Sequence, residues 1–161
     1  GGIIECQIAG LPAGIGEPVF DKLDALLAHA VLSIGAVKGF EIGDGFEAAR
    51  SNGSTNNDAF CLKDGQITKK TNHSGGTLGG MSDGSTVIFR AAIKPTPSIS
   101  SLQQTVNSSM EEVDISVKGR HDPIIVPRAV VVVESMAALT TVDLLLRNMS
   151  ASMDHLLRIY R

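Results

Sequence analysis

The segment from Val126-Pro127-Arg128 to Leu146 constrains this chain most. It is an almost wholly apolar run introduced by the charged, turn-forming Lys118-Gly119-Arg120-His121-Asp122-Pro123. By residue preference Val130 to Val133 suit a strand, but Pro127 then stands at its start. In a helix Pro127 falls near the first helical position, and Ala137, Ala138 and Leu139 favour that state. The expectation is a long buried helix, and a helix so apolar must be covered by other elements. Glu134, Ser135 and Asp143 interrupt the run, so it is not read as a membrane span, and no basic stretch followed by an apolar one marks a signal peptide at the start. A soluble, cytoplasmic protein without a membrane partner is expected.

At 161 residues and 43% hydrophobic, the chain fits one compact domain, residues 1–161. A net charge of -3, dispersed Lys and Arg and the absence of Trp argue against a nucleic-acid surface. An anionic ligand must then be met by local groups. Cys6 and Cys61 form no C-x-x-C pair and have no His at ligand spacing, so neither a disulfide framework nor a metal site is indicated.

Ile4, Cys6 and Ile8 alternate with polar residues as in a half-buried strand. This strand follows Gly1-Gly2 abruptly, and an upstream segment is expected. A loop then leads to Pro18, suited to the first position of a helix whose stripe is Val19, Phe20, Leu23, Leu26, Leu27, Ala30, Val31 and Ile34, with Gly35 placed to end it. Val37 to Ile42 reads as a strand. Residues 50–58 read as a polar, mobile loop, and Asp64-Gly65 as a tight turn between Phe60–Leu62 and Ile67–Lys69.

The stretch Asn72 to Gly84 carries two Gly pairs and a further Gly, which let backbone N–H groups converge on a phosphate or lie against a flat ring. It lacks the order of a P-loop or a dinucleotide fingerprint, so a ligand contact and an irregular turn system both stand. Val87 to Ile93 alternates as a buried strand and delivers Lys94-Pro95-Thr96-Pro97-Ser98. That loop either holds a phosphate rigidly or is an ordinary proline-punctuated connection. Val113, Ile115 and Val117 suggest another strand, and Ser150 a cap for a last short helix carrying Met153, Leu156, Leu157 and Tyr160. Strands and helices without β-α-β alternation indicate an α+β class.

Ordered motifs carry a resemblance. Gly14-Ile15-Gly16-Glu17-Pro18-Val19-Phe20-Asp21-Lys22-Leu23, Ala36 to Phe46, the Gly75 to Gly84 run, Lys94-Pro95-Thr96 and Lys118 to Pro123 resemble the C-terminal half of chorismate synthases. The resemblance implies an enzyme of the shikimate pathway that forms chorismate by 1,4-anti elimination of phosphate from 5-enolpyruvylshikimate 3-phosphate, using reduced FMN with no net redox change. It implies flavin contacts at Gly35, Ala36, Gly79, Lys94, Pro95, Thr96, Pro97, Ser98 and Arg120, with Asp122 and Arg120 catalytic. It also implies a β-α-β sandwich, helices between antiparallel sheets, assembled as a homotetramer.

Arg offers an oxyanion a fixed fork of donors, and a carboxylate between a cation and a flavin is open to tuning by desolvation and by charge. His121 reads as a bystander of Asp122, while Arg128 and His73 are undecided. None of His29, His73, His121 and His155 sits in the family's histidine motifs, and its N-terminal half, with further arginines, two histidines and a serine-rich flavin segment, has no counterpart here. Ile124 also stands where a small residue is usual. The isolated chain is therefore expected to be inactive, the alternative being a non-catalytic binding or assembly module.

Overall fold

A computed structural model describes residues 1–160. The elements are β1 (Gly2–Ile8), α1 (Leu23–Leu32), β2 (Val37–Ile42), β3 (Phe60–Lys63), β4 (Gln66–Lys69), β5 (Thr77–Leu78), β6 (Met81–Ser82), β7 (Val87–Ile93), β8 (Gln103–Val106), β9 (Glu112–Ile115), α2 (Val126–Asn148) and α3 (Met153–Ile159). β7 is the centre of a three-stranded antiparallel sheet ordered β1-β7-β2, and the other strands pair as hairpins. This is the mixed helix and antiparallel-strand class that the sequence predicts.

The two-residue period of β7 sends Val87, Phe89, Ala91 and Ile93 to one face, all buried. Burying a large side chain of this kind contributes about 1.5–3 kcal/mol. Phe89 stacks on Phe40 of β2 with ring centroids 5.2 Å apart. Leu23, Leu27 and Val31 of α1 and Val133, Ala137 and Leu144 of α2 close the same core. The opposite face is polar where Arg90 pairs with Glu41 at 2.8 Å.

Several expectations are corrected. α1 begins at Leu23 rather than near Pro18, and Val19 and Phe20 lie exposed outside it. The reason is competition for the backbone: Gly14 N–H donates to the Ser82 carbonyl at 2.8 Å, Ser82 N–H to that of Ile15 at 2.9 Å, and Leu23 N–H to that of Gly80 at 2.8 Å. These bonds turn residues 14–16 onto β6 and away from a helix. Gly16 (φ +129°) permits the approach, because a Cβ there would meet the Gly80 carbonyl at 2.6 Å.

At its other end α1 stops at Leu32, and Ala36, not Gly35, takes the left-handed conformation (φ +71°). The strand expected through Val117 ends at Ile115 and pairs with β8, an element whose polar sequence gave no alternating signal. Ser152, not Ser150, precedes α3, and Met153 and Tyr160 are exposed.

α2 is the predicted long helix, yet only Val133, Ala137, Thr141 and Leu144 are buried. Its 23 residues include an 18-residue stretch of mean hydropathy 1.9, so the helix is long and apolar enough to cross a membrane. Here one stripe packs on α1 and β1, whereas Val130, Val131, Val132, Leu139, Val142 and Leu146 face outward.

Candidate functional site

Strand register fixes where the implied site residues fall. Gly2 of β1 and Val37 of β2 both stand opposite Ile93 of β7, so these three positions mark one end of the sheet. The same end holds the Lys94 loop, whose Lys94 N–H donates to the Ala36 carbonyl at 2.9 Å. The entrance to α2 lies there too, since a Cβ on Gly2 would meet the Val126 side chain at 3.0 Å. Ala36 and Lys94 therefore meet at this end, and the segment carrying Arg120 and Asp122 leads into α2 at the same end. An alanine at positive φ is uncommon and costs roughly 1–2 kcal/mol, a strain often kept at ligand sites.

At that end Thr96 Oγ1 is buried without a hydrogen-bond partner, alone in this among side-chain polar atoms of the described residues. Asp122 is not paired with Arg120. Its Oδ2 accepts from Arg128 Nη1 at 2.8 Å, which settles Arg128 as a partner of the carboxylate. Among the described residues Arg120 and Lys94 make no ion pair. His121 is turned away, its Nε2 donating to the Val117 carbonyl at 2.8 Å.

Gly79 is elsewhere. It sits in the turn between β5 and β6 with Gly79 and Gly80 both at positive φ, next to the start of α1. Gly35 and Ala36 follow the end of α1, and ten helical residues span about 15 Å. Arg147, near the far end of α2, reaches Asp21 at 2.9 Å on the same side as Gly79. The structure thus joins Lys94 to Ala36 and Asp122 to Arg128 at the α2 entrance, and sets Gly79 at the other end of α1.

Around the glycine run lies a polar cluster that no sequence spacing reveals. Lys69 Nζ lies 2.5 Å from Asp83 Oδ2 and 3.4 Å from Asp58 Oδ2, and the three side chains are only 4%, 5% and 9% exposed. Lys69 also donates to Ser74 Oγ at 3.0 Å. Asp58 accepts from the Ser74 N–H at 2.9 Å, the Ser74 hydroxyl at 2.7 Å, the Thr71 hydroxyl at 2.7 Å and the His73 N–H at 2.8 Å. Burial alone pushes the Asp58 carboxyl up, but these four donors outweigh it and hold it well below the usual carboxylate range. At Asp83 burial again acts upward, and Lys69 and Ser85 more than offset it.

Asp44 Oδ2 meets His73 Nδ1 at 2.7 Å and accepts from Asn56 Nδ2 at 2.9 Å. The 50–58 segment, expected to be a polar, mobile loop, is tied by hydrogen bonds at Asn56 and Asp58. Lys69 stands 11 and 14 residues from its two carboxylates, too far for any periodic signal. The Cys6 thiol is pushed up by burial and then by Glu134, so it is held protonated rather than as a nucleophilic thiolate.

A family model described as "Chorismate synthase" matches residues 1–146. The chorismate synthase of Agathobacter rectalis is 68% identical over 161 residues, all of this chain and 44% of that protein. That of Archaeoglobus fulgidus is 63% identical over 147 residues, 91% of this chain and 41% of that protein. A solved structure described as "Crystal Structure of Chorismate Synthase" matches with TM-score 0.74 and 32% identity, covering 92% of this chain and 38% of that one. The chain spans less than half the length of the curated relatives it matches. With the family model covering nearly all of it, and a fold and motif order that agree, the chain belongs to the chorismate synthase family.

Proposed function

We propose that this chain forms part of a chorismate synthase, a lyase that removes a proton and phosphate from 5-enolpyruvylshikimate 3-phosphate to give chorismate in the shikimate pathway. The observation that carries the reading is the buried, unpartnered Thr96 hydroxyl in the loop that also presents Lys94. A buried hydroxyl without a partner costs about 1–3 kcal/mol, and a ligand oxygen or nitrogen removes that cost.

The residues at this end fit FMN and an anionic substrate. Gly35, Ala36 and Lys94 to Ser98 would hold the flavin, with Lys94 meeting phosphate charge and the two prolines fixing the loop. Reduced FMN, when bound, would supply electron density to the reacting ring. Arg120 would bind departing phosphate, whose charge grows as the bond breaks. Asp122, held at Oδ2 by Arg128, would take the proton on its free oxygen, and the ion pair keeps that carboxylate aimed.

Gly79, about one α1 length away, would reach a flavin through a neighbouring copy, in keeping with a homo-oligomer. Exposed apolar side chains along α2 support association. The protein is proposed to work as one domain in the cytoplasm, without nucleic acid or membrane.

The test is ligand titration of the 161-residue chain with FMN and with 5-enolpyruvylshikimate 3-phosphate, together with a chorismate assay under reducing conditions. Binding weakened by Lys94→Ala and Arg120→Ala, with little or no turnover by the chain alone, is expected. No binding of either ligand at any concentration would instead favour a non-catalytic module.

A further inference from the structure

The glycine run is pinned at both ends by the same ammonium group. At its entrance Asp58 takes the backbone N–H groups of His73 and Ser74, and Lys69 bonds both Asp58 and Ser74 Oγ. At its exit Asp83 takes the Ser85 N–H at 2.9 Å and the Lys69 ammonium. Between these points Asp83 N–H donates to the Gly76 carbonyl at 3.1 Å, closing the base of the turn. Gly75 and Gly76 lie hard against neighbouring backbone, where added Cβ atoms would run into Gly43 N and meet the Thr86 carbonyl at 2.6 Å. Gly79, by contrast, has nothing within 4 Å of an added Cβ.

The run is therefore rigid at its base and open at Gly79, while the neighbouring Gly80 is held by the Leu23 N–H on its carbonyl. Such an arrangement costs a chain two buried carboxylates against one buried ammonium, an excess of negative charge that apolar packing avoids. A surface turn has no need of it. The expense is understandable where a backbone conformation must be fixed before a ligand arrives, because fixing it in advance lowers the entropy lost on binding. We infer that Lys69, Asp58 and Asp83 are positioning residues that set the Gly75–Gly84 turn for contact with a flat ligand at Gly79.

The inference rests on reading Gly79 as a flavin contact. None of the three side chains touches the ligand: they act through the backbone of the run. Both carboxylates stay ionised through the neutral range, so the clamp does not open there.

The test combines amide hydrogen exchange on the whole chain with an FMN titration. Lys69→Met is expected to speed exchange across Gly75–Gly84 by about tenfold or more while β7 keeps its protection. It is also expected to weaken FMN binding by a similar factor, to leave binding of 5-enolpyruvylshikimate 3-phosphate unchanged, and to be rescued by Lys69→Arg in both respects. Unchanged exchange in the run, or equal loss in the run and in β7, overturns the clamp. A loosened run with unaltered FMN affinity, or no FMN binding by the parent chain, overturns the flavin reading of Gly79 and with it the positioning role, while the clamp's geometry stands.

Discussion

Replacing Thr96 with valine separates what the fold needs from what a ligand needs. Thr96 Oγ1 is buried with no donor or acceptor opposite it. Valine keeps the branched shape and removes only the polar atom. Leaving a buried hydroxyl unpaired costs about 1–3 kcal/mol, and because the rest of Thr96 is half-buried the low end applies, about 1 kcal/mol. For a chain of this length that is a rise of about 2–4 °C in melting temperature.

Most core and loop substitutions destabilise, so a gain of this sign is diagnostic. The same change is expected to weaken binding of FMN or inorganic phosphate by about tenfold, the worth of one hydrogen bond at roughly 1.4 kcal/mol. Thr96→Ser should keep the binding. Thermal melts followed by circular dichroism, with calorimetric titration of the two ligands, provide the measurements. A Thr96→Val chain that is less stable than its parent, or that binds both ligands as before, refutes the assignment of this hydroxyl to a ligand.

Other outcomes follow from the packing and from the buried carboxylates. Leu27 is fully buried between Leu23 and Val31, so Leu27→Ala should cost about 2–5 kcal/mol in urea unfolding, whereas Phe20→Ala, on an exposed loop, should stay within about 0.5 kcal/mol. Asp58 and Asp83 have carboxyl pKa values lowered by folding, so the stability they supply is fully present above about pH 4, the unfolded value, and is lost as the pH falls through the folded values. Urea midpoints measured from pH 7 downward should hold steady to about pH 4.5 and then drop, and the deficit of Asp58→Asn should shrink over the same fall. A deficit that grows with acid reverses the sign of the argument.

Much of the architecture is legible in residue order because it is written in local periods. The alternation over Val87–Ile93 announces a central strand, Asp64-Gly65 announces a hairpin, and Pro127 decides between helix and strand for the apolar run. These signals are short-ranged: side-chain period, backbone φ and the missing proline N–H act within a few residues. The start of α1 is not legible in this way. Val19 and Phe20 extend the apolar stripe in sequence, and it is the long-range bond from Leu23 N–H to the Gly80 carbonyl that takes the donor an earlier helical turn would give to Val19.

The candidate site divides along the same line. The family motifs, and through them Lys94, Arg120 and Asp122, stand in the sequence. Which of them meet does not, because proximity is set by strand register and by the seating of α2 on β1. That seating brings the entrance of α2, where Asp122 pairs with Arg128, to the sheet end that carries Lys94, and it leaves Gly79 an α1 length away. The buried Lys69 cluster is the extreme case. In sequence its members are a lysine and two aspartates among polar loops, where charge is ordinarily solvated. Only the tertiary structure takes all three out of water, and once there they must find one another, since an unpaired buried charge costs far more than the chain's marginal stability allows.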